Sequence, residues 1–180
     1  TGPSLKRAYT INATTIVAVF NEPVDSLKGA IVANYTFSNG LTIVFAISLA
    51  PLFNEVQLTL SGAMQAGTVY TLTAANITDC KGNTIGTDNK AKVGLPVDAA
   101  ALDMIVNEIL FNPRSNAYDF VEFYNKSNKI FDASKLFIAN RNSSNVISSI
   151  GSLTTIPWLV FPGDYIVLTE DAASLSREYL

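Results

Sequence analysis

Glu55-Val56-Gln57-Leu58-Thr59-Leu60-Ser61 alternates without a slip: Val56, Leu58 and Leu60 fall on one side of an extended chain, Gln57, Thr59 and Ser61 on the other. Successive strand side chains point to opposite faces, so this stretch belongs in a sheet with one dry and one wet face, as in antiparallel sandwiches. Thr68–Thr73 repeats the pattern, with Tyr70 and Leu72 inward and Thr71 and Thr73 outward. Upstream, Thr14–Phe20 is a β-rich run closed by the turn signal Asn21-Glu22-Pro23, and Leu41–Ser48 is another. Asp25–Ala33 is the only stretch that reads as a helical turn. Residues 90–103 lose the strand pattern; Gly94, Pro96 and Ala99-Ala100-Ala101 read as a linker, and the next strand opens at Met104.

Composition supports an all-β chain. Of 180 residues, 48% are hydrophobic and 15% charged, which gives enough material for packed cores and argues against disorder. The expectation is two immunoglobulin-like β-sandwich domains in tandem, residues 1–95 and 104–180, joined by a linker at 96–103. Residues 1–95 carry six basic and five acidic side chains, net +1; residues 96–180 carry six and ten, net −4. Neither half holds a basic cluster able to neutralise a run of phosphates, so nucleic acid is not an expected partner. The longest apolar stretch, Leu41–Phe53, is interrupted by Thr42, Ser48 and Pro51 and is too short to span a bilayer.

Gly67 followed closely by Tyr70 at a strand start has the form of a tyrosine corner, in which a buried phenol hydroxyl bonds backbone a few residues upstream. More broadly, Val17-Ala18-Val19-Phe20-Asn21-Glu22-Pro23-Val24-Asp25, Asn34-Tyr35-Thr36-Phe37, Val56–Leu60, Gly67–Leu72 and Asp79-Cys80-Lys81-Gly82-Asn83 occur in an order that resembles the bacterial Ig-like domain of S-layer and other surface proteins. That resemblance covers residues 5–95 and implies a spacer or adhesive module. In the second half, Asn107-Glu108-Ile109 with Asn112-Pro113, and Asp119-Phe120-Val121-Glu122-Phe123-Tyr124-Asn125, resemble the lamin tail domain, an Ig-like sandwich found in nuclear lamins and secreted bacterial proteins. The resemblance implies that Glu108 and Glu122 are framework residues, as Asn125 is taken to be.

Histidine is absent, which removes Ser-His-Asp, Cys-His and His-ligated metal arrangements together. No glycine-rich loop leads from a strand into a helix, so no phosphate cradle is visible and no cofactor is expected. Cys80 is the single cysteine, so neither an intrachain disulfide nor a cysteine-based zinc site can form. Glu108 and Glu122 are a pair of acids of the kind glycosidases use, but without a substrate cleft they read as framework. Asp79, Asn83 and Asp88 offer hard oxygen ligands on one loop, a calcium candidate whose spacing does not fit an EF-hand; Asp, Asn and Gly also make turns without metal. Trp158, Tyr124, Phe161 and Tyr165 could form a sugar-stacking platform, and the simpler reading of them is core. Five Asn-x-Ser/Thr triplets, at Asn12, Asn34, Asn76, Asn125 and Asn142, fall within chance for so Asn- and Ser-rich a chain.

The expectation is therefore a non-enzymatic structural or interaction module of an exported bacterial surface protein, extracellular or at the cell surface. Its partner is an unidentified protein or surface glycan. The alternative is an accessory, substrate-positioning region of a larger secreted hydrolase or nuclease. From Met104 the second domain has 77 residues, against ~100 for a complete sandwich of this type. It is expected to be a truncated domain whose parent continues past Leu180, with open edges that can pair with a second copy. The charge distribution also gives a direct expectation: fluorescence anisotropy with duplex DNA at physiological salt should show no binding, and a micromolar, salt-sensitive Kd would overturn it.

Overall fold

Whether an alternating segment becomes a central or an edge strand depends on how much it can bury, and β5 (Glu55–Leu60) buries every second residue almost completely. Val56 and Leu58 are fully inaccessible and Leu60 nearly so. In the computed structural model, which describes residues 1–115 and 117–179, the chain is 44% strand and 10% helix, an all-β protein. It divides into two compact units, Thr1–Pro96 and Val97–Leu180.

In the first unit β5 pairs antiparallel on both sides, with β2 (Thr15–Phe20) and β4 (Ile43–Ser48). β1 (Leu5–Asn12) pairs with β2 to complete the sheet order β1-β2-β5-β4. The facing sheet has the order β3-β6-β7, from β3 (Tyr35–Phe37), β6 (Tyr70–Ala74) and β7 (Lys90–Val93). Ile16, Ala18, Val56 and Leu58 of one sheet and Leu72, Ala74 and Val93 of the other are buried, which is the sandwich core. The strand at Lys90–Val93 corrects the sequence reading: the run Lys-Ala-Lys-Val alternates exposed and buried, but four residues ending in the Gly94–Pro96 turn resemble the linker that follows.

The sheets are closed at one side by β1 and β7. Leu5 N–H donates to Asp88 C=O at 2.8 Å and Thr10 Oγ1 to Gly94 C=O at 2.7 Å. Both chains ascend between these contacts, so the first and last strands of the unit run parallel. At another corner α1 (Ser26–Gly29), capped by Asp25 Oδ1 on Leu27 and Lys28 N–H, leads into a 3₁₀ turn at Val32–Asn34. Gly29 is buried against Ser48 Oγ and Val24 so closely that a β-carbon there would collide with the hydroxyl. Its carbonyl accepts the Tyr35 hydroxyl at 2.8 Å, and burial pushes that phenol's pKa up.

The second unit is assembled from smaller pieces. β8 (Met104–Leu110), β9 (Phe120–Asn125) and β14 (Tyr165–Thr169) form an antiparallel sheet in the order β14-β9-β8. β10 (Phe131–Asp132) pairs with β13 (Leu159–Val160), and β11 (Phe137–Arg141) with β12 (Ile147–Ser152). A helix, α2 (Ala172–Tyr179), follows β14, with Asp171 Oδ1 accepting Ser174 N–H at its start. One buried cluster is Phe131, Ala133 and Val160, with Met104, Leu136 and Ile166 against them, and Ile130, Leu159 and Phe161 are buried as well. Every residue of β11 and β12 is exposed.

Removing part of the larger core has a definite cost. Leu58→Ala deletes most of a fully buried side chain on the central strand and should destabilise the first unit by about 2–5 kcal/mol. Hydrogen exchange of the β5 amides in native buffer measures this directly, and a change under about 1 kcal/mol would contradict the central role of β5.

Candidate functional site

Two loops and one sheet hold the side chains that could do chemistry. The first loop is built on Asp79, which the fold buries between Val24, its bridge partner, and the turn at Gly82, where φ is +84°. Asp79 Oδ1 accepts the N–H groups of Lys81 and Asn83 at 2.8 and 2.9 Å, and Oδ2 accepts Asn83 Nδ2 at 2.6 Å. The Asn83 amide above all, with the two backbone donors, holds the Asp79 carboxyl below the usual aspartate range against an opposing effect of burial. Both oxygens therefore already face N–H donors, a surround that suits an anion. Asp88 contributes its carbonyl to Leu5 rather than its carboxylate to this loop. Among the described residues no group of three His, Cys, Asp or Glu is placed to hold a metal ion. Of the three residues of the calcium candidate, Asp79 and Asn83 meet in this turn through Asp79 Oδ2, and Asp79 organises it. Cys80 beside it is exposed and free.

The second loop leads into Tyr70, the first residue of β6. Gly67 turns the chain at φ +73°, and the buried phenol stacks on Phe37 with ring centroids 5.1 Å apart. Its hydroxyl accepts Gln65 N–H at 2.9 Å, five residues upstream.

In the second unit, Glu108 and Glu122 are directly opposite each other in the β8–β9 ladder. They meet there because of a bulge between Val106 and Glu108. Without it, strict alternation would put Val106 and Glu108 on one face. With Asn107 as the extra residue, Met104, Val106 and Ile109 share one face while Ile105, Glu108 and Leu110 share the other. Asn107 Nδ2 donates to Glu122 Oε1 at 2.7 Å; Glu108 is exposed. Like charges directly opposite across a ladder repel. Neither acid lines either of the two grooves described below.

Asn125, at the end of β9, is fully buried and fully used. Its Oδ1 accepts Ser127 N–H and Oγ–H, its Nδ2 donates to Lys129 and Val160 C=O, and its backbone exchanges bonds with Asp164 C=O and Gly163 N–H. One side chain thus ties β9 to the following turn and to β13. Nearby, Lys129 Nζ lies 2.7 Å from Asp103 Oδ2 and, with the Ala100 N–H, draws that carboxyl's pKa down.

The aromatic residues divide. Phe161 is buried, Tyr124 and Tyr165 pack ring to ring at 4.8 Å with Tyr165 outermost, and Trp158 is 49% exposed. The core reading of Trp158 is therefore corrected: its backbone N–H is fixed to Asp132 Oδ1, and the ring lies at the surface.

The feature sequence reasoning missed is a groove between the sheet and the β11–β12 hairpin. A cavity of about 490 Å³ is lined by Val106, Ile109, Val121 and Phe123 from the sheet and by Phe137 and Ile138 from the hairpin. It runs on through shared walls at Ile109, Val121 and Ile138 into a second, of about 580 Å³, that reaches Phe111 and Thr169. Thr169 Oγ1 is buried there with no hydrogen-bond partner among the described residues. The consecutive polar pair Asn107-Glu108 inside an apolar strand was the available signal, since it marks the phase slip that turns Ile109 into the groove.

Residues 5–93 match a family described as bacterial Ig-like domain. No curated protein matches the chain in sequence. Among solved structures, the chain is similar to the N-terminal part of the bacterial S-layer protein SbsC, at 15% identity and a TM-score of 0.47, covering 91% of this chain and 45% of that one. It is similar also to a longer portion of SbsC, at 13% identity and 0.48, over 94% and 32%. A third similarity is to SbsC domains 1–6, at 15% identity and 0.49, over 96% and 24%. The chain thus spans less than half the length of each.

Two expectations follow from the loops. Tyr70→Phe, which leaves Gln65 N–H without its acceptor, should cost the first unit about 1 kcal/mol in urea unfolding, and no change would show that water replaces the phenol without loss. Because the folded Asp79 carboxyl titrates below its unfolded value, its contribution is complete above the ordinary aspartate pKa of about 3.9 and is lost as pH falls through the lower folded value. The difference in thermal midpoint between the native chain and Asp79→Ala should therefore shrink on acidification from about pH 6 to about pH 2. A gap of constant size would refute the assignment.

Proposed function

We propose that this chain, whose first unit matches the bacterial Ig-like domain family over residues 5–93, is a non-enzymatic structural and interaction module of an exported bacterial surface protein. The family match across the whole first sandwich is the observation that carries this reading. The residues agree with it: there is no histidine in the sequence, and Asp79, Tyr70 and Asn125 spend their polar atoms on loops and strand ends. The second unit serves the same reading as a lamin tail-like sandwich, domain boundaries included, with residues 1–95 and 104–180 as the two modules. Its partner is a protein or a surface glycan; the exposed rings of Trp158 and Tyr165 support glycan contact as one mode.

Location and chemistry can be tested together. Protease treatment of intact cells of the source organism should release peptides of this chain without lysis, and the purified chain should turn over none of a panel of glycan and phosphodiester substrates. Release only after lysis would overturn the surface assignment, and turnover lost in Glu122→Gln would overturn the non-enzymatic one.

A further inference from the structure

We infer that the β8 edge of the second unit is an acceptor for an extended segment of another protein, one that alternates apolar and basic side chains. This rests on the reading of the chain as an interaction module and specifies the chemistry of its partner.

Three observations converge on β8. It is the outer strand of the order β14-β9-β8, and no backbone bond joins Met104–Leu110 to any strand beyond it among the described residues. A strand left so carries a row of unpaired N–H and C=O groups at the spacing an incoming chain needs. The apolar groove follows the same strand along its length, from Met104 to Phe111, a shape that fits an extended chain better than a compact ligand. Finally, the two faces of the sheet differ. Val106 and Ile109 stand on the groove face, 51% and 55% exposed, while Glu108 and Glu122 form a row on the opposite face.

A strand added beside β8, about 4.8 Å away, continues both rows. Its side chains on the groove side meet Val106, Ile109 and Phe137. The residue next to Glu108 extends a row that already holds two opposed carboxylates, so an acid there is repelled and a lysine or arginine relieves the repulsion. No Lys or Arg lies on β8, β9 or β14 to do this from within. The same row argument disfavours a second copy at this edge. Two antiparallel β8 strands would bring bulged, acid-bearing edges of units of net charge −4 together without supplying a cation. The β4 edge of the first unit also exposes Val44, Phe45 and Ile47, but it carries no charge that names a partner.

The test uses the full chain, isotope-labelled, with two capped octapeptides, one alternating Val and Lys and the other Val and Glu. The Lys peptide should slow exchange of the β8 amides at least about tenfold and lose affinity with rising salt, while the Glu peptide does neither. Glu108→Gln with Glu122→Gln should weaken the Lys peptide by about tenfold while the spectrum of the free chain stays that of the folded protein. Ile109→Lys, at an exposed position, should abolish binding through the groove. Equal binding of both peptides, protection elsewhere than β8, or no binding overturns the proposal. So does a chain that alone sediments as a dimer with β8 protected, since the occupant would then be a second copy. None of these outcomes bears on surface release of the chain, so a failure here leaves the broader function standing.

Discussion

A sandwich persists only if the inward rows of its two sheets cover each other, and in the first unit β5 fixes where those rows lie. It is paired on both sides, so the register of β2 and β4 is set against it, and its three inward residues are sealed. The corner helix, the Tyr70 loop and the Asp79 turn are then ways of ending strands whose positions are already decided. In the second unit β9 is likewise paired on both sides, but of its residues only Asn125 is buried. The unit's sealed apolar residues cluster around Phe131 and Val160, at one end of the β8-β9-β14 sheet, and there the polar side chain of Asn125 takes over the work of holding segments together.

The fold was legible wherever burial is one-sided. Val56-Leu58-Leu60 and Tyr70-Leu72 alternate because one face is core and the other water, and both became strands with those faces. Lys90–Val93 has the same pattern but is too short to rise above a neighbouring glycine and proline. Ile147–Ser152 was invisible for the opposite reason: with no buried face, nothing in its order of side chains distinguishes a hairpin strand from a loop.

The candidate sites were legible by residue type and not by partner. Asp79 and Asn83 were rightly seen as belonging to one loop, but a carboxylate bound to amides and one bound to calcium require the same residues in the same turn. The N–H donors on both Asp79 oxygens are a partner set that residue types alone do not specify. Trp158 was read as core from its apolar neighbours, yet the run Ile156–Phe161 turns into a two-residue strand that buries Leu159 and Val160 and leaves the indole outside. The groove depends on a bulge, and a bulge moves side chains between faces without changing a single residue.

The closure of the first unit by its two terminal strands has a mechanical consequence. β1 and β7 run parallel, so the chain enters at one end of their contact and leaves at the other. Tension on the chain therefore loads the Leu5–Asp88 and Thr10–Gly94 bonds along the strands, in shear, and both must yield together. Were the strands antiparallel, the same pull would open them one bond at a time, like a zip. A unit loaded through both of its ends is, in this geometry, gripped along its strands.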